Sequence, residues 1–380
     1  MAHRPEARRR DPRGIVLVAP AVLPPVLFLK ASSMKVPSVR ILIALGLGAV
    51  SPVAALRAQD PPPAAVAPTP KKGPRQPRPP KPGVSTPGVK REMTTITPEA
   101  VFPVEGTPDW QVITDEAVWV SNAPKNTIHR LDPKTNKVEA AITVGRRPCS
   151  GLAAGFGSIW VPSCGDKTVS RVDIKTNQVI ATIAATPSQS EGGIAASPEA
   201  VWIVTDAKGV LSRIDPATNK ITAEVEVPSN SAGATYGEGA VWITTPDKNL
   251  LTGVDTKTNR VIHTVEVGPQ PRFVTTGAGS VWTLNQGDGT VSRVDAKTGK
   301  LVANIEVGIP GTGGELAFGN GHVWATAFQI PISEIDPAVN QVVRQWTGAG
   351  GDSIRVGHGS VWLSNLRGQN LWRIALSSLK

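Results

Sequence analysis

Residues 277–284 read Gly-Ala-Gly-Ser-Val-Trp-Thr-Leu, a turn of small residues followed by a β-branched residue and a tryptophan. The same pairing occurs at Val118-Trp119, Ile159-Trp160, Val201-Trp202, Val241-Trp242, Val323-Trp324 and Val361-Trp362, so the seven tryptophans follow one another at steps of 41, 42, 40, 40, 42 and 38 residues. Working outward from Trp282, the unit 272–308 contains four short β-rich runs punctuated by Gly, Asn and Asp. They are Phe273-Val274, the tryptophan run, Thr290 to Asp295, and Leu301 to Val307, which together read as a four-stranded antiparallel meander. Self-similarity at about 40 residues, with strands rather than helices in each unit, is the sequence signature of a β-propeller with one blade per repeat. No comparable stretch shows a 3.6-residue apolar period, so an all-β chain with almost no helix is expected.

A second marker recurs once per unit. The corner Asp-x-x-Thr-Asn and its near variants run Asp132 to Asn136, Asp173 to Asn177, Asp215 to Asn219, Asp255 to Asn259, Asp295 to Gly299 and Asp336 to Asn340. Its last position is Asn five times and Gly once, which fits a backbone site requiring positive φ. The aspartate closes the turn by accepting from amides two residues on, so these carboxylates read as structural rather than as a metal ring. The tryptophans likewise read as packing between blades, with Trp110, Trp346 and Trp372 standing outside the pattern.

The two ends of the repeat region imply how the ring closes. The last unit supplies three strands, ending with Leu371 to Leu376, and Val101-Phe102-Pro103-Val104 resembles the fourth strands of other units. This early segment is expected to complete the last blade and remove its open edge, giving seven blades over residues 99–380.

Charge divides the chain. Up to Arg91 there are sixteen Lys or Arg against three acids, whereas from Glu92 onward there are 24 against 27. The net charge of +10 therefore belongs to the front end, and the nearly neutral propeller is a poor match for nucleic acid. Residues 34–58 read as a signal peptide: a basic start through Arg40, an apolar run from Ile41 to Leu56, and Ala58 before the expected cleavage. That run is short for a membrane span, so no transmembrane anchor is expected after cleavage. Residues 1–33 read as a non-native or disordered extension, and 59–98 as a Pro-rich basic linker unable to build a core. A periplasmic or secreted location follows. Export gives meaning to Cys149 and Cys164, which flank a hairpin turn at Phe156-Gly157 and are expected to form a disulfide.

The repeat resembles the YVTN family of bacterial β-propellers. The resemblance covers roughly Pro98 to Lys380 and rests on Val120-Ser121-Asn122, Ile128-His129-Arg130-Leu131-Asp132, Thr135-Asn136 and Ile142-Thr143-Val144-Gly145. Gly-Ser-Val-Trp replaces the Pro-Asp-Gly turn of many members, which makes the chain similar also to streptogramin-lyase-like extracytoplasmic propellers. Such families hold both enzymes and binding proteins, so the resemblance implies a fold and no single reaction.

Blades diverge around one mouth of the central channel, where loops enter each first strand and leave each second strand. The residues projected there are Asp109, Asn122, Arg147, Glu191, Asp206, Arg272, Asn285, Glu315, Asp352 and Asn365, with Ser150, Ser163 and Thr245 beside them. Four of these, Asp109, Glu191, Glu315 and Asp352, are oxygen donors that would suit Ca2+ or Mg2+. Gluconolactonase-like propellers, relatives of this repeat class, carry a carboxylate and Asn set of this character. The resemblance therefore implies a divalent-cation-dependent lyase or a lactone or ester hydrolase as one reading. The streptogramin lyases place histidine at the mouth, but His129 and His263 fall in outer strands here, and His322 and His358 precede Trp324 and Trp362 on the opposite face. The leading expectation is thus an envelope binding or interaction module whose partner is a protein, peptide or polymer docking over the mouth.

Overall fold

The structure, a computed structural model, describes residues 84–149, 151–188, 191, 193–308 and 313–380. The expected signal peptide, the extension 1–33, the linker as far as residue 83, and Ser150 lie outside the described residues. Seven sheets form a seven-bladed propeller, and the described residues contain strands and single 3-10 turns but no α-helix. The innermost strands number the blades: Pro108–Ile113, Ala153–Gly155, Ile194–Ala196, Ala234–Gly237, Pro271–Gly277, Glu315–Gly319 and Ile354–Gly357 for blades 1 to 7.

Each ladder tryptophan lies on the second strand and is at most 1% exposed. Its indole N–H is satisfied by the residue five positions earlier, at the inner hairpin turn. The acceptor is a glycine carbonyl in five blades, as in Trp282 Nε1 to Gly277 O at 3.0 Å. It is a hydroxyl at Thr114 and Ser197 in the other two. Those glycines also admit the next blade. A Cβ added to Gly277 would lie 2.2 Å from Cγ of Phe318, and one on Gly237 would lie 2.0 Å from Thr276 Oγ1. The Gly…Trp spacing of the repeat thus satisfies a buried donor and permits close approach of neighbouring backbones.

The corners behave as the sequence implies. Asn136, Asn177, Asn219, Asn259 and Asn340 have φ of 56°, 58°, 57°, 55° and 54°, and Gly299 has 64°. Asp132 Oδ1 accepts from Lys134 N at 2.7 Å, and Asp173, Asp215, Asp255 and Asp336 repeat the bond. Bonds from the corner threonine, at Thr135, Thr176, Thr258 and Thr298, and from the amide two residues on, foremost at Ala217, hold the carboxyls of Asp132, Asp173, Asp255, Asp295 and Asp215 below the ordinary aspartate range.

The corner asparagines have a further role that the sequence does not reveal. On the third strand, two residues before the corner aspartate where there is one, an arginine lies over the ladder tryptophan of its own blade and reaches into the next blade. Arg130 donates to Ile174 O and Asn177 Oδ1, Arg171 to Pro216 O and Asn219 Oδ1, and Arg293 to Pro337 O and Asn340 Oδ1. Arg373 does the same to Pro133 O and Asn136 Oδ1, tying blade 7 to blade 1. Where one half of this latch is missing, the other changes. Gly253 replaces the arginine in blade 4, Gly299 replaces the receiving asparagine in blade 5, and His263 stacks on Trp242 in the space, with centroids 5.6 Å apart. Blade 7 offers no such corner, and the latch position of blade 6 is Glu334, paired within its own blade with Arg344 at 2.5 Å. Arg213 bonds Thr222 instead of crossing, and the buried Asn259 Oδ1 is left without a partner.

Ring closure is as expected. Ala100–Pro103 is the outer strand of blade 7, antiparallel to Asn370–Ala375, with Phe102 opposite Leu371. The disulfide is also present: Cys149 and Cys164 are bonded, with Cα atoms 5.8 Å apart, and the amide of Cys149 donates to Pro162 O across the same ladder. One strand lies outside the expectation. Lys90–Glu92, inside the stretch read as linker, adds a fifth strand in parallel to the outer strand of blade 6, with Arg91 opposite Trp346. The guanidinium of Arg91 lies 5.4 Å over the Trp346 ring and donates to Lys380 O, which explains why Trp346 stands outside the ladder.

Candidate site at the channel mouth

The position nine residues before each ladder tryptophan faces the channel as it opens. Across blades 1 to 7 it is Trp110, Gly151, Gly193, Gly233, Phe273, Glu315 and Ser353. Glycine in blades 3 and 4 admits the neighbouring entry loop, since an added Cβ would lie 3.0 Å from Ala232 O at Gly193 and 2.6 Å from Arg272 O at Gly233. A cavity of about 250 Å³ lies against blades 2, 3 and 4, with Trp110, Phe273, Tyr236 and Phe318 among its walls. Trp110 of blade 1 meets Phe273 of blade 5 at a centroid distance of 5.9 Å and an interplanar angle of 48°, so two non-adjacent blades touch across the axis.

Charge surrounds this aromatic pair. Arg355 lies 5.9 Å over Trp110 and pairs with Glu315, which is 2% exposed. Glu315 Oε2 also accepts from Ser353 Oγ at 2.5 Å and from Ile354 N at 3.2 Å. Burial raises the pKa of Glu315, against the opposing pull of Arg355. On the other side Arg272 lies 5.9 Å over Phe273 and pairs with Glu191 at 3.6 Å. Beside these, Asp109 and Asp352 are hydrogen-bonded to each other. Burial, then the charges of Asp352 and Glu191, hold Asp109 well above the ordinary aspartate range. Burial foremost, with Glu191 and Glu315 adding to it, pushes Asp352 up to about 7. The contact between them pulls the two in opposite directions, raising Asp109 and lowering Asp352, so the carboxyls titrate as a coupled pair.

The structure therefore gathers Asp109, Glu191, Arg272, Glu315 and Asp352, and leaves the other projected residues apart. Asn122 bonds Thr107 N and Glu105 O, Asn285 bonds Thr283, Thr290 and Ser292, and Asn365 bonds Gly351 N and Asn370, all inside their own blades or entry loops. Arg147 and Asp206 are exposed turn residues with φ of 54° and 60°. Arg355 and Ser353 join the site without having been expected there. A signal for the arginine exists in the repeat: Arg355 holds the place occupied by Val112, Ala153, Ala195, Thr235, Thr275 and Ala317 in the other blades, a single charge in a column of small or apolar residues.

Two of the four carboxylates are engaged by arginine, Glu191 by Arg272 and Glu315 by Arg355. Among the described residues no three His, Cys, Asp or Glu side chains converge as metal ligands. The histidines lie elsewhere: His129 bonds Thr127, His263 stacks on Trp242, His322 faces Glu334 at 3.6 Å, and His358 bonds Thr114 O at 2.9 Å.

The acid pair sets a pH dependence. In the unfolded chain both aspartates ionise near 3.8, whereas in the fold they keep a proton to higher pH. The unfolded state then binds fewer protons, so stability falls as pH rises from about 4 toward about 7. The corner aspartates act in a separate window, their contribution being lost only as pH falls below about 4. The melting temperature should decrease between about pH 5 and pH 8, and Asp352→Asn should flatten that slope. Equal slopes in the two proteins would refute the assignment.

The profile of the PQQ_2 family, described as outer membrane protein assembly factor BamB, matches residues 165–378, more than half of the chain. The chain belongs to this family. No curated protein matches it. Among solved structures it is similar to virginiamycin B lyase from Staphylococcus aureus, at 16% identity and a TM-score of 0.62 over 73% of this chain and 98% of that one. It is similar also to a streptogramin B lyase, at 18% identity and a TM-score of 0.59 over 72% and 94%. At these identities the likeness is one of fold. This PQQ_2 propeller contains no helix, among the described residues, long and apolar enough to cross a membrane.

Proposed function

We propose that the protein is an exported propeller of the cell envelope, periplasmic or secreted, that works as a binding and interaction module. Its partner, a protein, peptide or envelope polymer, docks over the channel mouth. The observation that carries this reading is the mutual satisfaction of the mouth's charges: Arg355 with Glu315, Arg272 with Glu191, and Asp109 with Asp352, around the Trp110–Phe273 pair. Such a surface presents a fixed pattern of shape and charge to a partner. Membership of a family named for outer membrane protein assembly supports an envelope role, and the disulfide suits an oxidising compartment. Within the propeller class, the corner and strand motifs support a YVTN-type repeat.

A second reading, a divalent-cation-dependent lyase or a lactone or ester hydrolase, draws on the lyase-like fold and the acidic mouth. Thermal unfolding in the presence of Ca2+, Mg2+ or Mn2+ separates the two. The binding module predicts no shift, and capture of envelope components that is lost in Arg272→Ala. A cation-dependent rise in melting temperature that disappears in Asp352→Ala would transfer the assignment to the enzyme.

A further inference from the structure

Blades 6 and 7 are where the repeat is least regular. No arginine latch joins them, because Glu334 occupies the latch position. The segment Lys90–Glu92 adds to blade 6, a 3-10 turn at Met93–Thr95 follows, and the chain then enters blade 7 at Ala100–Pro103. The connection from blade 6 to blade 7 is Thr-Gly-Ala-Gly-Gly, with Gly348, Gly350 and Gly351 at φ of 135°, 117° and 82°. Glycine there keeps the connection thin and free of side chains.

These departures leave a cavity of about 940 Å³ bounded by the N-terminal strap, the glycine connection and the outgoing loops of both blades. It falls in the range of about 300–1,000 Å³ typical of small-molecule sites. Its apolar wall includes Met93, Ile96, Phe328 and the off-ladder Trp372. Met93 and Ile96 are buried, whereas Phe328 and Trp372 keep partial exposure. The cation on the wall is Arg367, whose guanidinium lies 4.9 Å over the Phe328 ring. Among the described residues Arg367 forms no ion pair, although the exposed Glu92 also borders the cavity. Most other arginines near the ladder or the channel are engaged by carboxylates or by the next blade, so Arg367 differs in having its donors open.

We propose that this cavity binds a small amphiphile with an apolar body and a single carboxylate, the body lying against Trp372, Met93 and Ile96 and the carboxylate on Arg367. A planar guanidinium preset by stacking on an aromatic ring receives a carboxylate through paired N–H donors, and the adjacent apolar wall rewards a hydrocarbon or aryl tail. This cavity shares no lining residue with the one at the channel mouth, and the proposal does not depend on the reading given to that mouth.

The test is a fluorescence titration of the whole protein with 12-bromododecanoate, whose bromine quenches indoles that it touches. Saturable quenching is expected in the wild type and in Asp352→Asn, and most of it should vanish in Trp372→Phe. Arg367 is exposed, so Arg367→Gln probes the head group without disturbing the core. It should weaken 12-bromododecanoate about tenfold and leave 12-bromododecanol unchanged. Absence of saturation, quenching that survives Trp372→Phe, or equal affinity for the carboxylate in Arg367→Gln would each overturn the proposal. Calorimetric titration of Arg367→Gln with dodecanoate makes the same discrimination without relying on fluorescence, should Trp372→Phe perturb the fold.

Discussion

Phe102→Ala is expected to lower the free energy of unfolding by about 3–5 kcal/mol, because it removes the largest buried side chain of the strand that closes the ring. Phe102 is 1% exposed and packs on Trp362 with centroids 5.6 Å apart. The same cluster includes Val118, Val120 and Leu131 of blade 1, so the phenyl ring fills the seam where the last blade meets the first. Four residues of pairing with Asn370–Ala375 and the reach of Arg373 to Pro133 and Asn136 complete that seam. Urea unfolding followed by tryptophan fluorescence measures the loss. The double variant with Trp362→Ala should lose less than the sum of the singles, since the two rings share one contact. A loss below about 1 kcal/mol would mean that the early strand decorates blade 7 rather than closing the propeller.

Trp282→Ala should cost a similar amount, about 3–5 kcal/mol, and clearly more than Arg293→Ala. The indole is 0% exposed, donates to Gly277 O at 3.0 Å, and carries the guanidinium of Arg293 4.9 Å above its ring. Truncation removes the packing and also the platform from which Arg293 reaches Pro337 O at 2.6 Å and Asn340 Oδ1 at 2.8 Å in blade 6. Arg293→Ala removes only the latch, a few hydrogen bonds at a partly buried site. Guanidinium unfolding of both variants ranks them, and equal losses would show that the latch, not the ladder, holds neighbouring blades together.

The ladder, the corners, the closing strand and the disulfide are legible in residues 99–380 because each is local or repeats in register. A turn closed by Asp132 and Asn136 depends on five adjacent residues, and Phe102 can be placed because Ile142 and Ile305 occupy the same position in complete blades. Lys90–Glu92 cannot be read this way: three residues at the end of a Pro-rich stretch carry no alternation, and their pairing with blade 6 depends on Trp346, far along the chain. The mouth is legible in part. Asp109, Glu191, Glu315 and Asp352 stand out as departures from the repeat, but their pairing does not, since contacts across a channel have no sequence period. Asn122, Asn285 and Asn365 are expected at the mouth because the loops diverge there. Their amides turn inward instead, to backbone groups of the entry loops at Asn122 and Asn365 and to the hydroxyls of Thr283, Thr290 and Ser292 at Asn285.

The pairing of Ala100–Pro103 with Asn370–Ala375 also governs when the molecule can become whole. A ribosome delivers the two partners at opposite ends of the task, at a pace of about 5–20 residues per second. Early blades can condense as they emerge, yet the final sheet must wait for a segment made last to find one made first. Because that encounter spans nearly the entire domain, it carries the largest loop-closure entropy in the fold and should be its slowest step.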